Sequence, residues 1–268
     1  MHRFYLPPEE CRGSALTLAD REAHHALRVL RVRMGEQVTV LNGTGAEFIC
    51  DVRSADRNTV ELSIVERKLI PPLPCQVTLL QAIPKGKIIE AIIEKATELG
   101  AHRIVPILSE RVTTRLGDER AVDKLQKWRL AAIEAIKQCG SAWLPHVDAP
   151  MTPKQFLAQG ETFDLALVGS LQADARHPRE CLREFGATHR TLPNTVAVWI
   201  GPEGDFTPAE LCAIRDTGAQ PISLGRLVLR VETAAIYCLS FLNYEFRSAT
   251  EVGDPVLIRT ADSEESNL

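Results

Sequence analysis

The chain has 268 residues, a formal net charge of −4 at pH 7, 45% hydrophobic residues and 25% charged residues. This length allows about two domains, each with its own core, and the composition is that of an ordinary globular protein. The negative balance argues against a uniformly basic nucleic-acid-binding protein, although it leaves room for local basic patches. No apolar run approaches the roughly 18 residues of a membrane helix, and the N-terminus lacks a signal-peptide pattern, so we expect a cytoplasmic protein without membrane contact.

Seven cysteines and seven histidines are scattered along the chain. The cysteines form no C-x-x-C motif, and neither residue type shows the spacing of metal ligands. An odd, dispersed set of cysteines is typical of reduced thiols that are mostly buried. We therefore predict free thiols and no metal site.

Residues 1–72 show the pattern of a small β-rich domain. The stretch QVTVLNGTGAEFICDV alternates apolar and polar residues on both sides of Asn42–Gly43, which predicts a β-hairpin. The preceding stretch HHALRVLRVRMGEQV predicts a short helical turn with a basic edge. That edge comprises Arg28, Arg31 and Arg33. Prolines at 71, 72 and 74 form a stiff connection that ends the domain.

Residues 73–248 alternate between strand and helix patterns. Apolar strand candidates are followed by amphipathic helices, such as QVTLLQAI by KIIEAIIEKATELG, in which Gly100 ends the helix. This alternation predicts an α/β domain with a parallel sheet that helices cover on both faces. The remaining residues, 249–268, are rich in acidic side chains, and we expect a disordered tail there.

The stretch GPEGDFTPAE, residues 201–210, joins the predicted strand TVAVWI to a helix. Thr207 is a candidate N-cap, Pro208 takes the first helical position, and the glutamate at 210 completes a T-x-x-E capping box. Gly201 and Gly204 allow a tight reversal before that helix. Such a turn either only reverses the chain or brings its backbone close to a ligand.

The ligand of such a turn is often a phosphate, but the sequence argues against one here. It contains no G-x-x-x-x-G-K-[ST] phosphate loop and no G-x-G-x-x-G dinucleotide turn after a strand. Glu203 and Asp205 would also repel a pyrophosphate across a short distance, whereas they tolerate hydroxyl groups or a cation. S-adenosylmethionine, a nucleoside with a positive centre and no phosphate, meets this description, although the pattern disfavours phosphate more firmly than it selects this cofactor.

A second marked loop, SLGRLVLRVETAA at 223–235, overlaps the end of the predicted strand PISL. Arg226 and Arg230 flank a short apolar stretch, and Glu232 opens the last helix. Glu232 on its own could simply stabilise the helix N-terminus, and Arg230 could be a surface charge or an ion-pair partner. Loops at the carboxyl ends of two consecutive strands are nevertheless where α/β proteins bind ligands.

These loops carry a family resemblance. The stretches KGKIIEAIIEKATELGAHRIVPILSERV, IGPEGDFTPAEL and LGRLVLRVETAAI, in that order, resemble the RsmE family of the SPOUT superfamily, which methylates N3 of a uridine in 16S ribosomal RNA. The basic segment HHALRVLRVRMGEQV is similar to the N-terminal part of that family. The resemblance thus covers nearly the whole chain except its tail.

The resemblance implies a fold and a set of partners. The C-terminal domain would be a trefoil-knotted SPOUT methyltransferase domain, an exception to the rule that protein chains are unknotted, and the N-terminal domain a PUA-like β-barrel that holds RNA. The active unit would be a homodimer, and its substrate would be 16S ribosomal RNA within the small ribosomal subunit. S-adenosylmethionine would lie in the knot loops, in contact with Ile200, Gly201, Pro202, Glu203, Gly204, Leu224, Gly225, Leu227 and Leu229.

The resemblance also leads to hypotheses for RNA binding and catalysis. Arg28, Arg31 and Arg33 would contact RNA phosphates, unless they only form a solvated face. Arg230 would stabilise negative charge that develops on the uracil in the transition state. Glu232 would accept the N3 proton or orient Arg230.

Three stretches depart from the family pattern. KQCGS stands where Glu-Gln-Ser/Cys-x-Arg is usual, so that Lys137 replaces an acid and Ser141 an arginine, and we assign Lys137 and Gln138 to RNA contacts. Asp205 stands where glycine is usual, which is expected to constrain the turn, and Val231 stands where threonine is common. These departures keep two alternatives open: a methyltransferase for another RNA, and a non-catalytic RNA-binding factor of ribosome assembly that retains the fold.

Overall fold

The computed structural model describes residues 1–86, 88–112 and 118–251, of which 118–121 and 247–251 are described by their backbone only. The last helix extends to Glu251, beyond the predicted end of the second domain at 248. The predicted tail from 252 onwards therefore lies outside the described residues. None of the described helices is long and apolar enough to span a membrane.

The N-terminal domain is built on a five-stranded mixed sheet. Its strands are β1 (His2–Tyr5), β2 (Ala15–Leu18), β3 (Gln37–Leu41), β4 (Ala46–Ala55) and β5 (Val60–Leu69). They lie in the order β1-β3-β4-β5-β2, in which β1 runs parallel to β3 and the other neighbours are antiparallel. Helix α1 (Asp20–His24) continues as a π-helical segment over His25–Leu30 and buries Ala23 and Ala26 in the core of this domain.

The predicted hairpin is formed by β3 and β4. Asn42 Oδ1 accepts hydrogen bonds from the backbone N–H groups of Thr44 and Ala46, both at 2.9 Å. Gly43 and Gly45 adopt φ angles of +74° and +94°, a region that residues other than glycine rarely occupy. The asparagine and the two glycines therefore supply the turn that the sequence pattern predicts.

The second domain alternates strands and helices as predicted. Its strands are β6 (Gln76–Ala82), β7 (Arg103–Ile107), β8 (His146–Val147), β9 (Leu165–Gly169), β10 (Thr195–Ile200) and β11 (Gln220–Ile222). Its helices are α2 (Ile88–Glu98), α3 (Asp118–Cys139), α4 (Pro153–Leu157), α5 (Pro178–His189), α6 (Pro208–Asp216) and α7 (Val231–Glu251). All six strands are parallel, in the order β11-β9-β10-β6-β7-β8. The sequence pattern missed β8 and α4, which are only two and five residues long.

Both faces of the parallel sheet are buried. Because successive side chains of a strand point to opposite faces, Leu79 of β6 packs into a core with residues of α2, α3 and α7, whereas Leu80 packs into a second core with residues of α4 and α6. The side chains of β10 are distributed in the same way, with Val198 in the first core and Trp199 in the second. Burial on both faces explains why these strands are continuous apolar runs in the sequence.

The strands β9, β10 and β11 end at the same edge of the sheet. They run parallel, and β9 lies between β10 and β11. The loops that follow these three strands, residues 170–177, 201–207 and 223–230, are therefore neighbours in space. The sequence pattern predicted only the second and third of these loops as ligand-binding loops. The order of the strands in the sheet adds the loop after β9.

The two domains meet along the end of α3 and the loop that follows it. The backbone N–H of Gly45, in the hairpin turn, donates to the carbonyl oxygen of Ala142 at 2.9 Å. Trp143 Nε1 donates to the carbonyl oxygen of Ile70 at 3.0 Å. A Cβ atom at Gly45 would lie 2.6 Å from the Trp143 ring, so this glycine is required for the close approach of the two domains.

Candidate active site

The three neighbouring loops enclose a cavity of about 720 Å³, which is within the size range of small-molecule sites. All of the predicted cofactor-binding residues except Gly204 line it, as do both predicted catalytic residues. The lining residues among those predictions are Ile200, Gly201, Pro202, Glu203, Leu224, Gly225, Leu227, Leu229, Arg230 and Glu232. The family resemblance thus identified residues that the fold brings together at one edge of the sheet.

The last residue of β9 and the loop after it contribute lining residues that sequence reasoning missed. They are Gly169, Ser170, Leu171 and Gln172. The Ser170 backbone N–H donates to the Ile222 carbonyl oxygen at 3.0 Å, which joins this loop to the end of β11. The available signal was the end of the strand pattern FDLALV, because the carboxyl ends of parallel strands share one edge of a sheet.

The turn at residues 201–205 is tightly constrained. Asp205 donates its backbone N–H to the Pro202 carbonyl oxygen at 2.8 Å, and it adopts a left-handed φ of +61°. Its Oδ1 accepts a hydrogen bond from the backbone N–H of Phe206 at 2.8 Å. A Cβ atom at Gly201 would lie 3.1 Å from Asp205 Oδ1 and 3.3 Å from the Phe206 ring. These contacts support the expectation that an aspartate at 205 constrains the turn, and they leave no free space for a side chain at 201.

Two other loops hold this turn in place from outside the cavity. Glu203 Oε1 accepts a hydrogen bond from the backbone N–H of Lys85, in the loop after β6, at 3.0 Å. Arg111, in the loop after β7, donates from Nη1 to the carbonyl oxygen of Gly204. Gly204 therefore lies against Arg111 and outside the cavity wall, in contrast to the other predicted cofactor residues.

Glu210 fixes the helix that follows the turn. The predicted capping box is present: Thr207 Oγ1 accepts from the Glu210 backbone N–H, and Glu210 Oε2 accepts from the Thr207 backbone N–H at 2.9 Å. The same buried carboxylate also accepts from Ser109 Oγ and from the Glu110 backbone N–H, both at 2.9 Å. Glu210 therefore ties the loop that contains Arg111 to the start of α6.

The loop at residues 223–230 forms the opposite wall. Gly225 adopts a φ of +113°, which only glycine takes readily. Leu227 and Val228 are 78% and 77% exposed, so this wall presents aliphatic side chains to the solvent. Glu232 is half-buried in the first turn of α7, and Arg230 is exposed directly before that helix.

The predicted RNA-binding residues lie away from the cavity. Arg28, Arg31 and Arg33 are exposed on the N-terminal domain, as the basic edge predicts. Gln138 is exposed at the end of α3, and its carbonyl oxygen accepts a hydrogen bond from Arg3 at 3.0 Å.

Lys137 differs from its prediction. Its side chain is only 5% exposed, and its Nζ lies 2.8 Å from Glu22 Oε1 and 2.9 Å from Glu134 Oε1. Two carboxylates therefore already neutralise the ammonium group, which is buried between α1 and α3. This placement argues against the predicted RNA contact for Lys137 and identifies it as a link between the two domains.

The cysteines are free thiols. Burial raises the pKa of Cys50, Cys75 and Cys238 to about 12, so these thiols stay protonated near neutral pH. Cys139 and Cys212 are exposed. Among the described residues, no group of three or more His, Cys, Asp or Glu side chains could hold a metal ion.

Comparison with known proteins matches both parts of the chain. Residues 71–243 match the RNA methyltransferase domain family, and residues 18–65 match the RNA methyltransferase PUA domain family. The ribosomal RNA small subunit methyltransferase E of Synechocystis is 33% identical over 249 residues, which cover 90% of this chain and 77% of that relative.

Solved structures agree with these matches. A methyltransferase of Legionella pneumophila in complex with S-adenosylmethionine is 32% identical, with a TM-score of 0.81, over 91% of this chain and 97% of that one. The ribosomal RNA small subunit methyltransferase E of Neisseria gonorrhoeae, bound to S-adenosylmethionine, is 27% identical, with a TM-score of 0.79, over 92% of this chain and 98% of that one. With its PUA-like N-terminal domain and its parallel-sheet α/β domain, the chain belongs to the family of the ribosomal RNA small subunit methyltransferases E.

Proposed function

We propose that the protein transfers a methyl group from S-adenosylmethionine to N3 of a uridine in the 16S ribosomal RNA of the small ribosomal subunit. The observation that carries this proposal is the cavity at the ends of β9, β10 and β11. Residues of the 201–205 turn and of the 223–230 loop line this cavity, and the chain matches the RNA methyltransferase domain family. The related protein of N. gonorrhoeae is named a ribosomal RNA small subunit methyltransferase E and is bound to S-adenosylmethionine. Since ribosomal subunits are cytoplasmic, the protein would act in the cytoplasm.

The residues of the cavity fit S-adenosylmethionine. Aliphatic side chains such as Ile200, Leu224 and Leu229 suit an apolar ring, and the glycine-containing backbone allows close approach. Glu203 Oε1 is held by the Lys85 N–H, and Oε2 has no hydrogen-bond partner among the described residues, so that oxygen can accept from a hydroxyl or amino group. When bound, S-adenosylmethionine would supply an electrophilic methyl group.

Arg230 and Glu232 are the residues that we propose for catalysis. Methylation replaces the N3 proton of uracil by a methyl group, so the proton has to leave and the ring carries negative charge during the reaction. The Arg230 guanidinium would stabilise that charge, and the Glu232 carboxylate would accept the proton or orient Arg230. Both residues line the cavity, and neither forms an ion pair with another described residue.

We also propose domains at 1–72 and 73–248, a trefoil knot in the second domain and a homodimer as the active unit. The ranges of the two matched domain families, 18–65 and 71–243, support a boundary near 72. The knot is what the family resemblance implies, and it would lie at the neighbouring loops after β9, β10 and β11. The exposed aliphatic side chains Leu227 and Val228 support the dimer, since a second copy would remove them from water.

The departures at 137 and 141 are compatible with catalysis. Lys137 takes part in the contact between the domains, and Ser141 Oγ donates to the Trp143 carbonyl oxygen at 2.9 Å. Neither residue lines the cavity. Because the changed residues have structural partners of their own and lie outside the cavity, the two departures are not evidence for a non-catalytic assembly factor.

The test is methyl transfer from labelled S-adenosylmethionine to small ribosomal subunits from a strain that lacks this protein. Wild-type protein should label the subunits, and Arg230→Ala should reduce kcat by about 100-fold or more. Arg183→Ala is the matched control and should retain wild-type activity, because Arg183 is exposed on α5 and does not line the cavity. The proposal would be contradicted if the wild-type protein bound the cofactor but left the subunits unlabelled.

A further inference from the structure

Two exposed cations, Lys85 and Arg111, are anchored to consecutive residues of the 201–205 turn. The backbone N–H of Lys85 donates to Glu203 Oε1 at 3.0 Å, and Arg111 Nη1 donates to the Gly204 carbonyl oxygen. These contacts come from two different loops, after β6 and after β7, which are separated from the turn by 118 and 93 positions in the chain. The fold therefore places two residues with positive side chains beside one wall of the cavity.

Neither cation is neutralised by a carboxylate in the part of the chain that the structure describes. In the same domain, Arg103, Arg176 and Arg215 all form ion pairs with acidic side chains. Lys85 and Arg111 are also exposed, and neither lines the cavity. Their charges are thus available to a ligand that lies outside the cavity.

The contact with Gly204 leaves most of the Arg111 guanidinium free. A guanidinium has five N–H donors in a planar arrangement that matches two oxygens of a phosphate, and only Nη1 is used for the turn. Because the contact with Gly204 holds the side chain, less conformational entropy is lost when it binds a phosphate. Lys85 is anchored through its backbone only, so its ammonium group is free to make a second contact.

We propose that Lys85 and Arg111 form a phosphodiester-binding site for the RNA strand that carries the methylated nucleotide. The inference rests on the proposed function and deepens it, since it adds an RNA contact on the catalytic domain to the basic edge of the N-terminal domain. A nucleotide whose base enters the cavity has phosphates on both sides of its ribose, and in this proposal Lys85 and Arg111 bind one of them beside the 201–205 turn. Contacts to these phosphates position the strand without reading its sequence.

The experiment measures binding of small ribosomal subunits, from a strain lacking this protein, as a function of potassium chloride concentration and without cofactor. Lys85→Ala is the main variant, because alanine keeps the backbone N–H that holds Glu203 and removes only the ammonium group. We expect a three- to tenfold loss of affinity and a decrease of about 0.7 to 0.9 in the magnitude of the slope of log K against log salt. Arg111→Ala should have a similar effect, Arg111→Lys a smaller one, and the control Arg183→Ala none.

Calorimetry with S-adenosylmethionine separates this site from a merely structural role. Lys85→Ala should bind the cofactor within about twofold of wild type, since the backbone contact to the turn remains. Unchanged affinity and salt slope for the subunits in both Lys85→Ala and Arg111→Ala would overturn the proposal, as would a loss confined to cofactor binding. Wild-type protein that binds subunits but transfers no methyl group would contradict the proposed function instead, while the variant slopes would still decide the phosphate site.

Discussion

Lys137→Met should weaken the contact between the two domains. Lys137 lies near the end of α3 in the methyltransferase domain, and its ammonium group lies 2.8 Å from Glu22 Oε1 in α1 of the N-terminal domain. Methionine retains an unbranched apolar chain of similar length and removes the charge. The cofactor cavity should stay intact in this variant, because it is built from other loops.

The size of the expected loss of stability follows from the burial of Lys137 and Glu22. The side chains of Lys137 and Glu22 are 5% and 12% exposed, and removing one member of a buried pair costs about 3–5 kcal/mol because the other charge is left uncompensated. Glu22 still accepts the Tyr5 backbone N–H at 3.1 Å. The second partner, Glu134, is 39% exposed and also pairs with Arg21. Loss of the Lys137–Glu134 pair therefore adds little to the change in the free energy of unfolding. We therefore expect a loss of about 2–3 kcal/mol in the free energy of unfolding.

Urea unfolding followed by tryptophan fluorescence measures this loss, because Trp143 lies at the contact between the domains. A loss of this size should lower the urea midpoint by roughly 1 M for a slope of about 2 kcal/mol/M. Lys127→Met is the matched control, since Lys127 is exposed on the same helix and forms no ion pair with a described residue. Equal midpoints for Lys137→Met and Lys127→Met would refute the reasoning.

Three further predictions concern the 201–205 turn and the thiols. In thermal unfolding, Asp205→Ala should be about 1–2 kcal/mol less stable than wild type, because alanine must adopt the same left-handed φ without the hydrogen bond from the Phe206 N–H. Asp205→Gly should stay within about 1 kcal/mol of wild type, because glycine adopts this φ without strain. Equal stability of the two variants would contradict this reasoning. Gly201→Ala should weaken S-adenosylmethionine binding about tenfold in calorimetry, since its Cβ would crowd the turn, and wild-type affinity would show that the turn relaxes freely. A thiol reagent with peptide mapping should modify Cys139 and Cys212 in the native protein, and rapid modification of the three buried thiols whose pKa is about 12 would disprove the packing.

Features that depend on neighbouring residues could be predicted from the sequence. The capping box at Thr207 and Glu210 is present, Gly100 adopts a φ of +81° after α2, and the Asn42–Gly43 turn forms the hairpin. Each of these signals acts through the local backbone, so no knowledge of the tertiary structure is needed. The two glycine loops of the cavity also followed from their position after strands.

Features that depend on distant residues could not be predicted in this way. The loop after β9 joins the cavity only because β9 lies between β10 and β11, an order that the chain sequence does not contain. Lys137 looked like an RNA contact, but Glu22, which neutralises it, is 115 positions away. The anchors of the turn, Lys85 and Arg111, are similarly remote from it.

The most direct test of the central claim locates the methyl group on the RNA. Small ribosomal subunits labelled by the wild-type protein are digested with nuclease, and the fragments are analysed by mass spectrometry. We predict a single N3-methyluridine in the 16S ribosomal RNA, formed about 100-fold or more slowly when Arg230→Ala replaces the wild-type protein. Methylation of a different atom or a different RNA, or no methylation by protein that binds the cofactor, would contradict the account.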